Sequence, residues 1–410
     1  MKITALETIQ VEEFGNVVWV RIHTDEGLVG LGETFRNPQA TIAYLHETCA
    51  PYLIGKDPLQ IERHHFALMN RVGSHFNGFP TRSVEIRGNS AVDIALWDIL
   101  GQSLGAPLHQ LLGGLAHDRL PVYNTCAGYT YNSVARTASN TETAKRGAGA
   151  GPDPARPYED LEAQTNRPGE LAQSLLAEGV RAMKVWPFDP YAMASAGQHI
   201  EAADLKAGVK IIEEIRRAVG DRMEIMLEFH GLWQLAPALR IADALAPYDI
   251  YWLEDPISLQ NFDDLAAYKA GVRTRVAASE NLGTPAWYRE VFGRRAIDVA
   301  NFDMGWIGGV TAGRRVTALA SAYDRPIAPH DCTGPVVLCA NTHLMMASAN
   351  SLIVETVRAS YNGFYRDVLT VLPRIEGGYA YPMTGAGLGT ALRPEIVART
   401  DARVRRTATG

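Results

Sequence analysis

The pattern of apolar and polar positions changes twice along the chain. Residues 1–35 alternate between the two types, with glycine-containing turns between the runs, which predicts an antiparallel three-stranded meander. Helical periodicity follows from about Pro38 to Gly114, and Asn89 or Ser90 is the expected N-cap of its longest helix. We therefore expect residues 1–118 to form an α+β domain.

Strand-like and helix-like segments alternate from Leu120 onward. The strand-like runs are PVYNTC, RAMKVW, EIMLEF, DIYWLED, RVAAS, DVANFD, RPIAPH and SLIVET. Eight such runs separated by amphipathic segments predict a parallel α/β barrel, here a modified TIM barrel over residues 119–356. The polar stretch 129–169 is too long for a routine connection and is interpreted as a lid or a mobile insertion. Residues 357–410 are rich in turn signals and are expected to return to the front domain.

Composition narrows the functional classes. A chain of 410 residues fits a barrel of about 250 residues plus a second domain of roughly 130. The net charge of −6 and the pI near 6.0 leave no basic stripe for nucleic acid. Four cysteines without paired spacing favour a reducing compartment, and the sequence shows no signal-peptide pattern and no membrane-spanning apolar run. We expect a soluble cytoplasmic homo-oligomer that acts on a small molecule.

Three glutamates recur at an even interval. Glu228 in IMLEFH, Glu254 in IYWLEDP and Glu280 in VAASEN are each 26 residues apart, and each closes a strand-like run. The carboxyl ends of consecutive barrel strands converge on one mouth, so these side chains are expected to meet there. Three anionic oxygen ligands suit a divalent cation such as Mg²⁺.

The two following strands end in Asp303 (VANFDM) and His330 (IAPHD). A carboxylate and an imidazole on adjacent strand ends can form a hydrogen bond, which fixes the tautomer of the histidine and raises its basicity. His330 is therefore a candidate general base. The alternative is a structural histidine that precedes a helix.

Three further side chains are candidates at the same mouth. His230 lies two residues beyond Glu228 and points to the same face if the strand stays extended, or outward if the strand breaks. Lys184, in RAMKVWPFD, either stabilises negative charge on a substrate or is a solvated lysine. Glu355, at the end of the last strand, either contacts substrate or pairs with Arg358.

Taken in order, these motifs resemble the enolase superfamily and its mandelate racemase subgroup. The resemblance runs through NSAVDIALWDILGQSLGAPLHQLLGG, VRAMKVW, LEFHG, WLEDP, ASEN, NFDMGWIGGVT and APHDC. It implies a capping domain, built from the N-terminal segment and the C-terminal tail, over a (β/α)₇β barrel. It also implies that Glu228, Glu254 and Glu280 bind Mg²⁺ and that Asp303 and His330 form the catalytic dyad, as in the superfamily scheme of a basic residue assisted by Mg²⁺.

Two departures from the subgroup pattern refine the expected activity. The second strand often reads KxK, but here Trp186 replaces the second lysine, which disfavours a two-base racemase and leaves the tryptophan as a candidate substrate contact. The segment EFHG looks like the DFHG of galactonate-type dehydratases, with Glu228 in place of aspartate and His230 as the general acid. This resemblance implies an acid-sugar dehydratase that forms a 2-keto-3-deoxy acid. The alternatives are a cycloisomerase of a sugar-acid lactone or anhydro-sugar acid, and a non-catalytic binding protein.

Substrate selection is expected to come from capping-domain loops over the mouth, around residues 12–16 and 75–87. His75 and Arg82 would contact hydroxyls or a distal carboxylate, unless they are surface residues. Trp233, just after EFHG, either stacks on the sugar or packs beneath the lid. Both aldonates and aldarates remain open as substrates.

Overall fold

The computed structural model describes residues 1–70, 84–129, 131 and 158–408. The expectations for His75 and Arg82, and for most of the segment 129–169, lie outside this part of the chain.

Short strands and helices of varied length make up the described part of the chain. The strands are β1 (Ile3–Val11), β2 (Val17–Thr24), β3 (Val29–Phe35), β4 (Leu120–Thr125), β5 (Ala182–Val185), β6 (Glu224–Glu228), β7 (Trp252–Glu254), β8 (Arg275–Ala278), β9 (Val299–Ala300), β10 (Val354–Thr356), β11 (Ile375–Glu376), β12 (Tyr379–Ala380) and β13 (Ala402–Ala408). The α-helices are α1 (Pro38–Tyr44), α2 (Ala50–Leu53), α3 (Ile61–Asn70), α4 (Val84–Leu104), α5 (Leu108–Leu111), α6 (Asp160–Asn166), α7 (Pro168–Ala177), α8 (Asp189–Ser195), α9 (Ala202–Val219), α10 (Leu235–Leu245), α11 (Phe262–Gly271), α12 (Pro285–Gly293), α13 (Gly309–Ala322), α14 (Pro335–Met346), α15 (Arg358–Asn362), α16 (Phe364–Val368) and α17 (Pro394–Val397).

The front domain is an antiparallel sheet covered by α4. Its strand order is β13-β1-β2-β3, so the end of the chain pairs with the first strand. Helix α4 lies so close to β3 that a Cβ added at Gly32 would come within 1.9 Å of the Ala91 carbonyl oxygen, which explains the glycine there. The N-cap prediction was wrong: Asn89 and Ser90 lie inside α4, where the Ser90 hydroxyl donates to the Ile86 carbonyl.

The second domain is a closed parallel barrel, which confirms the predicted fold class. Strands β4 to β9 pair in sequence order, and β10 pairs with β4. The seventh run, RPIAPH, forms isolated bridges instead of a regular ladder: Ile327 bridges to Ala300 and to Ser351, and His330 bridges to Asp303, which closes the ring. Pro326 and Pro329 lack the N–H groups that a regular ladder needs, so this strand stays irregular.

One side chain from each of the eight strand-like runs points into the barrel interior and helps to fill it. This interior ring consists of Tyr123, Ala182, Met226, Trp252, Ala277, Val299, Ala328 and Ile353. Because side chains repeat with a period of two along a strand, residues two positions further on form the next layer toward the mouth. That layer includes Thr125, Lys184, Glu228, Glu254, His330 and Glu355. The pleat of the strands thus places a polar layer directly above an apolar floor.

The end of β3 joins the front domain to the barrel mouth. The buried Glu33 carboxylate accepts hydrogen bonds from the Trp19 indole N–H at 2.7 Å and from the backbone N–H groups of Val336 and Val337 at 3.1 and 3.0 Å. The last two belong to the first turn of α14, which begins five residues after His330. Burial raises the pKa of Glu33 to about 8 despite these donors. In the described part of the chain, no helix combines the length and apolar character needed to cross a bilayer.

Candidate active site

Three carboxylates converge at the mouth of the barrel. Glu228 and Glu254 end β6 and β7, and Glu280 follows β8. Each offers an oxygen within 4.8 Å of the oxygens of the other two, and all three side chains are buried. Like charges held this close away from water require a compensating cation. The residues form a cluster that could bind a metal ion.

Lys184 lies among these carboxylates at the end of β5. Its ammonium group is 2.6 Å from Glu254 Oε1, 3.0 Å from Glu355 Oε1 and 3.4 Å from Glu228 Oε2. Burial alone would lower the pKa of Lys184, but the carboxylates of Glu254 and Glu355 raise it well above its ordinary value. Only 2% of the residue is exposed, so the alternative of a solvated lysine is wrong.

Glu355 is fully buried beneath the mouth. Besides Lys184, it accepts hydrogen bonds from the Thr125 hydroxyl and from the Asp331 backbone N–H, the latter at 2.8 Å. The alternative of a salt bridge to Arg358 was wrong. That arginine pairs instead with Asp160 and with Glu178, at 2.8 and 2.7 Å.

His330 links its predicted partner to the carboxylate cluster. Its Nδ1 lies 2.7 Å from Asp303 Oδ2, and its Nε2 lies 2.9 Å from Glu280 Oε2. The Gly305 backbone N–H donates to Asp303 Oδ1 at 2.7 Å, which fixes that carboxylate. Burial would lower the pKa of His330, but the carboxylates of Glu280, Glu355 and Asp303 raise it well above its ordinary value. One ring nitrogen is therefore anchored, and the other faces the cluster.

His230 lies at the mouth for a different reason from the one predicted. Strand β6 ends at Glu228, and His230 has a φ of +51°, so the expectation of an extended backbone was wrong. The left-handed turn nevertheless brings the imidazole into the same cavity as Glu228. Its Nδ1 is 2.8 Å from Asp189 Oδ2. Burial opposes protonation, yet Asp189 and Glu228 raise the pKa of His230 to about 9.

The side chains at the mouth surround a cavity of about 20 Å³. Its walls include the predicted residues Lys184, Glu228, His230, Glu280 and His330. Trp186 lines it as well, with its ring 5.9 Å from that of His230. These candidates come from different strand ends and share one enclosed space.

Sequence reasoning missed several residues around this cavity. Arg36, directly after β3, lines it and places its guanidinium 5.5 Å from the ring centroid of Trp306, which in turn lies 5.4 Å from the ring of His330. A φ of +70° turns Arg36 toward the mouth. The motifs NFDMGW and WPFD contained Trp306 and Asp189, but they gave no signal for these contacts.

The predicted substrate contact of Trp233 does not agree with its position. The side chain is fully buried in the main hydrophobic core, next to α10. It is absent from the described walls of the cavity. The structure shows Trp233 packed in the core, whereas most of the lid segment beneath which it was expected to pack lies outside the described residues.

Comparison with protein families agrees with this architecture. Residues 3–113 match the mandelate racemase / muconate lactonizing enzyme N-terminal domain, and residues 168–396 match the enolase C-terminal domain-like family. The chain therefore belongs to the enolase superfamily, in its mandelate racemase subgroup, as its motifs predicted.

Solved structures resemble the whole chain. An enolase of the mandelate racemase subgroup from Agrobacterium tumefaciens is 41% identical, covers 100% of this chain and 99% of its own, and superposes with a TM-score of 0.86. An enolase protein from the Sargasso Sea environmental genome is 40% identical with the same coverage and a TM-score of 0.86.

Two curated relatives carry the names of enzymes. A D-xylonate dehydratase of Haloferax volcanii is 28% identical over 97% of this chain and 88% of its own length. A D-galactonate dehydratase of Pectobacterium atrosepticum is 27% identical over 97% and 94%. Dehydratases break carbon–oxygen bonds, and the protein is accordingly an enzyme of the carbon–oxygen lyase class.

Proposed function

We propose that this enzyme is an acid-sugar dehydratase. It removes the proton alpha to the carboxylate of a sugar acid and expels the protonated 3-hydroxyl as water, which gives an enol. This enol gains a proton at C3 and loses its hydroxyl proton to become a 2-keto-3-deoxy acid. The observation that carries this proposal is the pair of imidazoles, His330 and His230, on one cavity with three clustered carboxylates. Beta-elimination needs one group to accept a proton and another to donate one, and this cavity offers both.

The carboxylate cluster fits Mg²⁺. Glu228, Glu254 and Glu280 would hold the ion, because buried carboxylate oxygens within 4.8 Å of one another are hard ligands of the kind that Mg²⁺ prefers. When bound, Mg²⁺ would stabilise negative charge on the substrate carboxylate and so acidify the alpha proton, a contribution of several kcal/mol. The extra methylene of Glu228, which stands where the subgroup usually has aspartate, does not prevent the three oxygens from meeting.

His330 takes the alpha proton at Nε2 in this proposal. Asp303 accepts the Nδ1 hydrogen bond at 2.7 Å, so the neutral ring keeps its lone pair on Nε2. After proton transfer, the same carboxylate stabilises the imidazolium. Asp303 thus orients the base in both protonation states.

His230 donates a proton to the departing 3-hydroxyl oxygen. Its Nδ1 is held by Asp189, which leaves Nε2 as the nitrogen for the substrate. Trp186, which directly follows β5, gives the cavity an apolar wall at the position where a racemase would need a second base. Lys184 balances negative charge at the carboxylate end of the substrate, and Glu355 holds Lys184 in place.

A substrate screen tests the proposal. Purified protein with Mg²⁺ is incubated with a library of sugar acids and their lactones, and 2-keto acids are detected with semicarbazide. We expect loss of water and a keto acid from at least one substrate. His330→Asn should abolish turnover while substrate and Mg²⁺ still bind, and the exposed His199→Asn serves as the matched control. A product of unchanged mass would contradict dehydration and identify a cycloisomerase instead.

The expected cytoplasmic location and homo-oligomeric state stay predictions. The four cysteines are buried free thiols, which supports the expectation of a reducing compartment. Cell fractionation and light scattering on the purified protein would test the two expectations.

A further inference from the structure

A second and larger cavity lies next to the first. It has a volume of about 490 Å³, within the range of small-molecule sites. The segments after β6, β7 and β8 form its walls, and His230 lines both this cavity and the small one. A cavity of about 20 Å³ is too small for a five- or six-carbon acid, so most of such a substrate must extend beyond it. Because His230 lines both cavities, we expect the substrate to extend past His230 into the larger one.

The polar groups of the larger cavity offer acceptors. Asp255 Oδ2 accepts from the Ser279 hydroxyl at 2.7 Å and from Asn281 Nδ2 at 3.3 Å. Oδ1 of Asp255 and Oδ1 of Asn281 have no hydrogen-bond partner among the described residues, although both atoms are buried. Buried acceptors left unpaired cost about 1–3 kcal/mol each. Hydroxyl groups of a ligand are donors that match them.

An aromatic pair and two further polar side chains complete the walls. The rings of Phe262 and Trp287 lie 5.4 Å apart in an edge-to-face arrangement and both line the cavity. Aromatic faces pack well against the C–H faces of a polyhydroxylated chain. Ser258 and Gln260 add hydrogen-bonding groups beside them. The combination suits a sugar-like ligand.

The charge of the cavity excludes a second carboxylate. None of its described lining residues is a lysine or an arginine, and the imidazole of His230 is already paired with Asp189, 2.8 Å from its Nδ1. A distal carboxylate would therefore lack a free cation to pair with. Arg36 lines the small cavity and not the described walls of the large one, so it offers no counter-charge here.

We propose that this cavity is the subsite for the uncharged polyhydroxylated end of an aldonate, carbon 4 and beyond, and that it selects aldonates over aldarates. The proposal rests on the dehydratase function: with the carboxylate end at the glutamate cluster and the 3-hydroxyl at His230, the remaining carbons continue past His230 into the larger space. The segments after β7 and β8 then determine which substrate lengths and hydroxylation patterns the enzyme binds.

The test compares substrates and variants. Wild-type enzyme with Mg²⁺ is assayed on aldonates of four to six carbons, including threonate, D-xylonate and D-galactonate, and on galactarate. We expect kcat/KM for the best five- or six-carbon aldonate to exceed that for the aldarate at least tenfold. Ser258→Trp, which fills the cavity, should raise KM for that aldonate at least tenfold. Gln260→Ala should raise it about three- to tenfold, the effect of one hydrogen bond.

Both changes should appear in KM more than in kcat, because these residues are remote from the reacting atoms. The exposed Gln198→Ala is the matched control for Gln260→Ala and should keep the wild-type KM. An unchanged KM in both cavity variants, or equal use of aldarate and aldonate, would overturn the subsite. If the wild type forms no keto acid from any sugar acid, the dehydratase function itself fails and the subsite proposal falls with it.

Discussion

Replacing His230 with Asn should separate two steps that the wild-type enzyme performs together. His330 contacts Asp303 and Glu280, whereas His230 contacts Asp189. The two imidazoles are thus held by different carboxylates on different strand ends. Loss of His230 should therefore leave the proposed base, His330, and its partner Asp303 in place and remove only the proposed proton donor to the 3-hydroxyl.

The size of the effect follows from the role of a general acid, which contributes about 10²–10⁴ in rate. We expect kcat for elimination to fall by that factor, while exchange of the alpha proton with solvent stays within about tenfold of the rate of wild-type proton abstraction. The assay is incubation in D₂O, with NMR following loss of the C2 proton and semicarbazide following keto-acid formation. Substrate recovered from the variant should carry deuterium at C2.

Asp189→Asn provides a graded comparison, because it keeps the imidazole and removes the charge 2.8 Å from Nδ1. We expect elimination to slow about tenfold there, corresponding to roughly 1.4 kcal/mol of lost stabilisation. His199→Asn should match the wild type in both measurements. If exchange disappears together with elimination in His230→Asn, then His230 is needed for proton abstraction and the assignment of separate roles is refuted.

Three further predictions concern other parts of the molecule. Lys184→Ala leaves the carboxylates around it without their cation and should lower kcat about 10²-fold or more; wild-type kcat would make this lysine a bystander. Glu33→Gln keeps one oxygen for the first turn of α14 but turns an N–H₂ group toward Trp19, so the free energy of unfolding should drop about 1–3 kcal/mol, and more in Glu33→Ala; equal losses in denaturant titrations would contradict this account. Burial lowers the pKa of His343 to about 4, so this histidine is neutral in the folded protein and its contribution to stability, about 3 kcal/mol, is complete above pH 6.5 and is lost as pH falls toward 4. The melting temperature of His343→Gln should depend less on pH between 6.5 and 4 than that of the wild type. An equal pH dependence in the two proteins would show that His343 does not cause this loss of stability.

The sequence predicted those parts of the site that depend on local periodicity. Glu228 and Glu254 close strands whose side chains alternate, so their strand ends specify where they lie. His330 and Asp303 follow from the same rule, and the Asp303–His330 bridge shows the two strand ends side by side. Because the strands of a parallel barrel follow one another in sequence order, the locations of these four residues could be predicted from the sequence alone.

The remaining contacts depend on backbone geometry and on distant segments. The direction of His230 is set by a left-handed residue, which the extended-strand assumption could not supply. Arg36 reaches the cavity from the front domain and meets Trp306, which lies far along the chain in the barrel. Glu33 likewise bonds to Val336, 303 residues away. Such pairs carry no periodic signal, because their proximity is created only when the two domains pack.

The apolar ring beneath the polar layer also has a kinetic consequence. Tyr123, Met226 and Trp252, with the other members of the ring, seal the barrel from below. In the proposed mechanism, each cycle leaves His330 with an extra proton and His230 without one, so both imidazoles must exchange protons with solvent before the next substrate reacts. Because the apolar ring fills the barrel below the site, water and product must both pass through the mouth. The turnover rate should therefore fall as the viscosity of the medium rises.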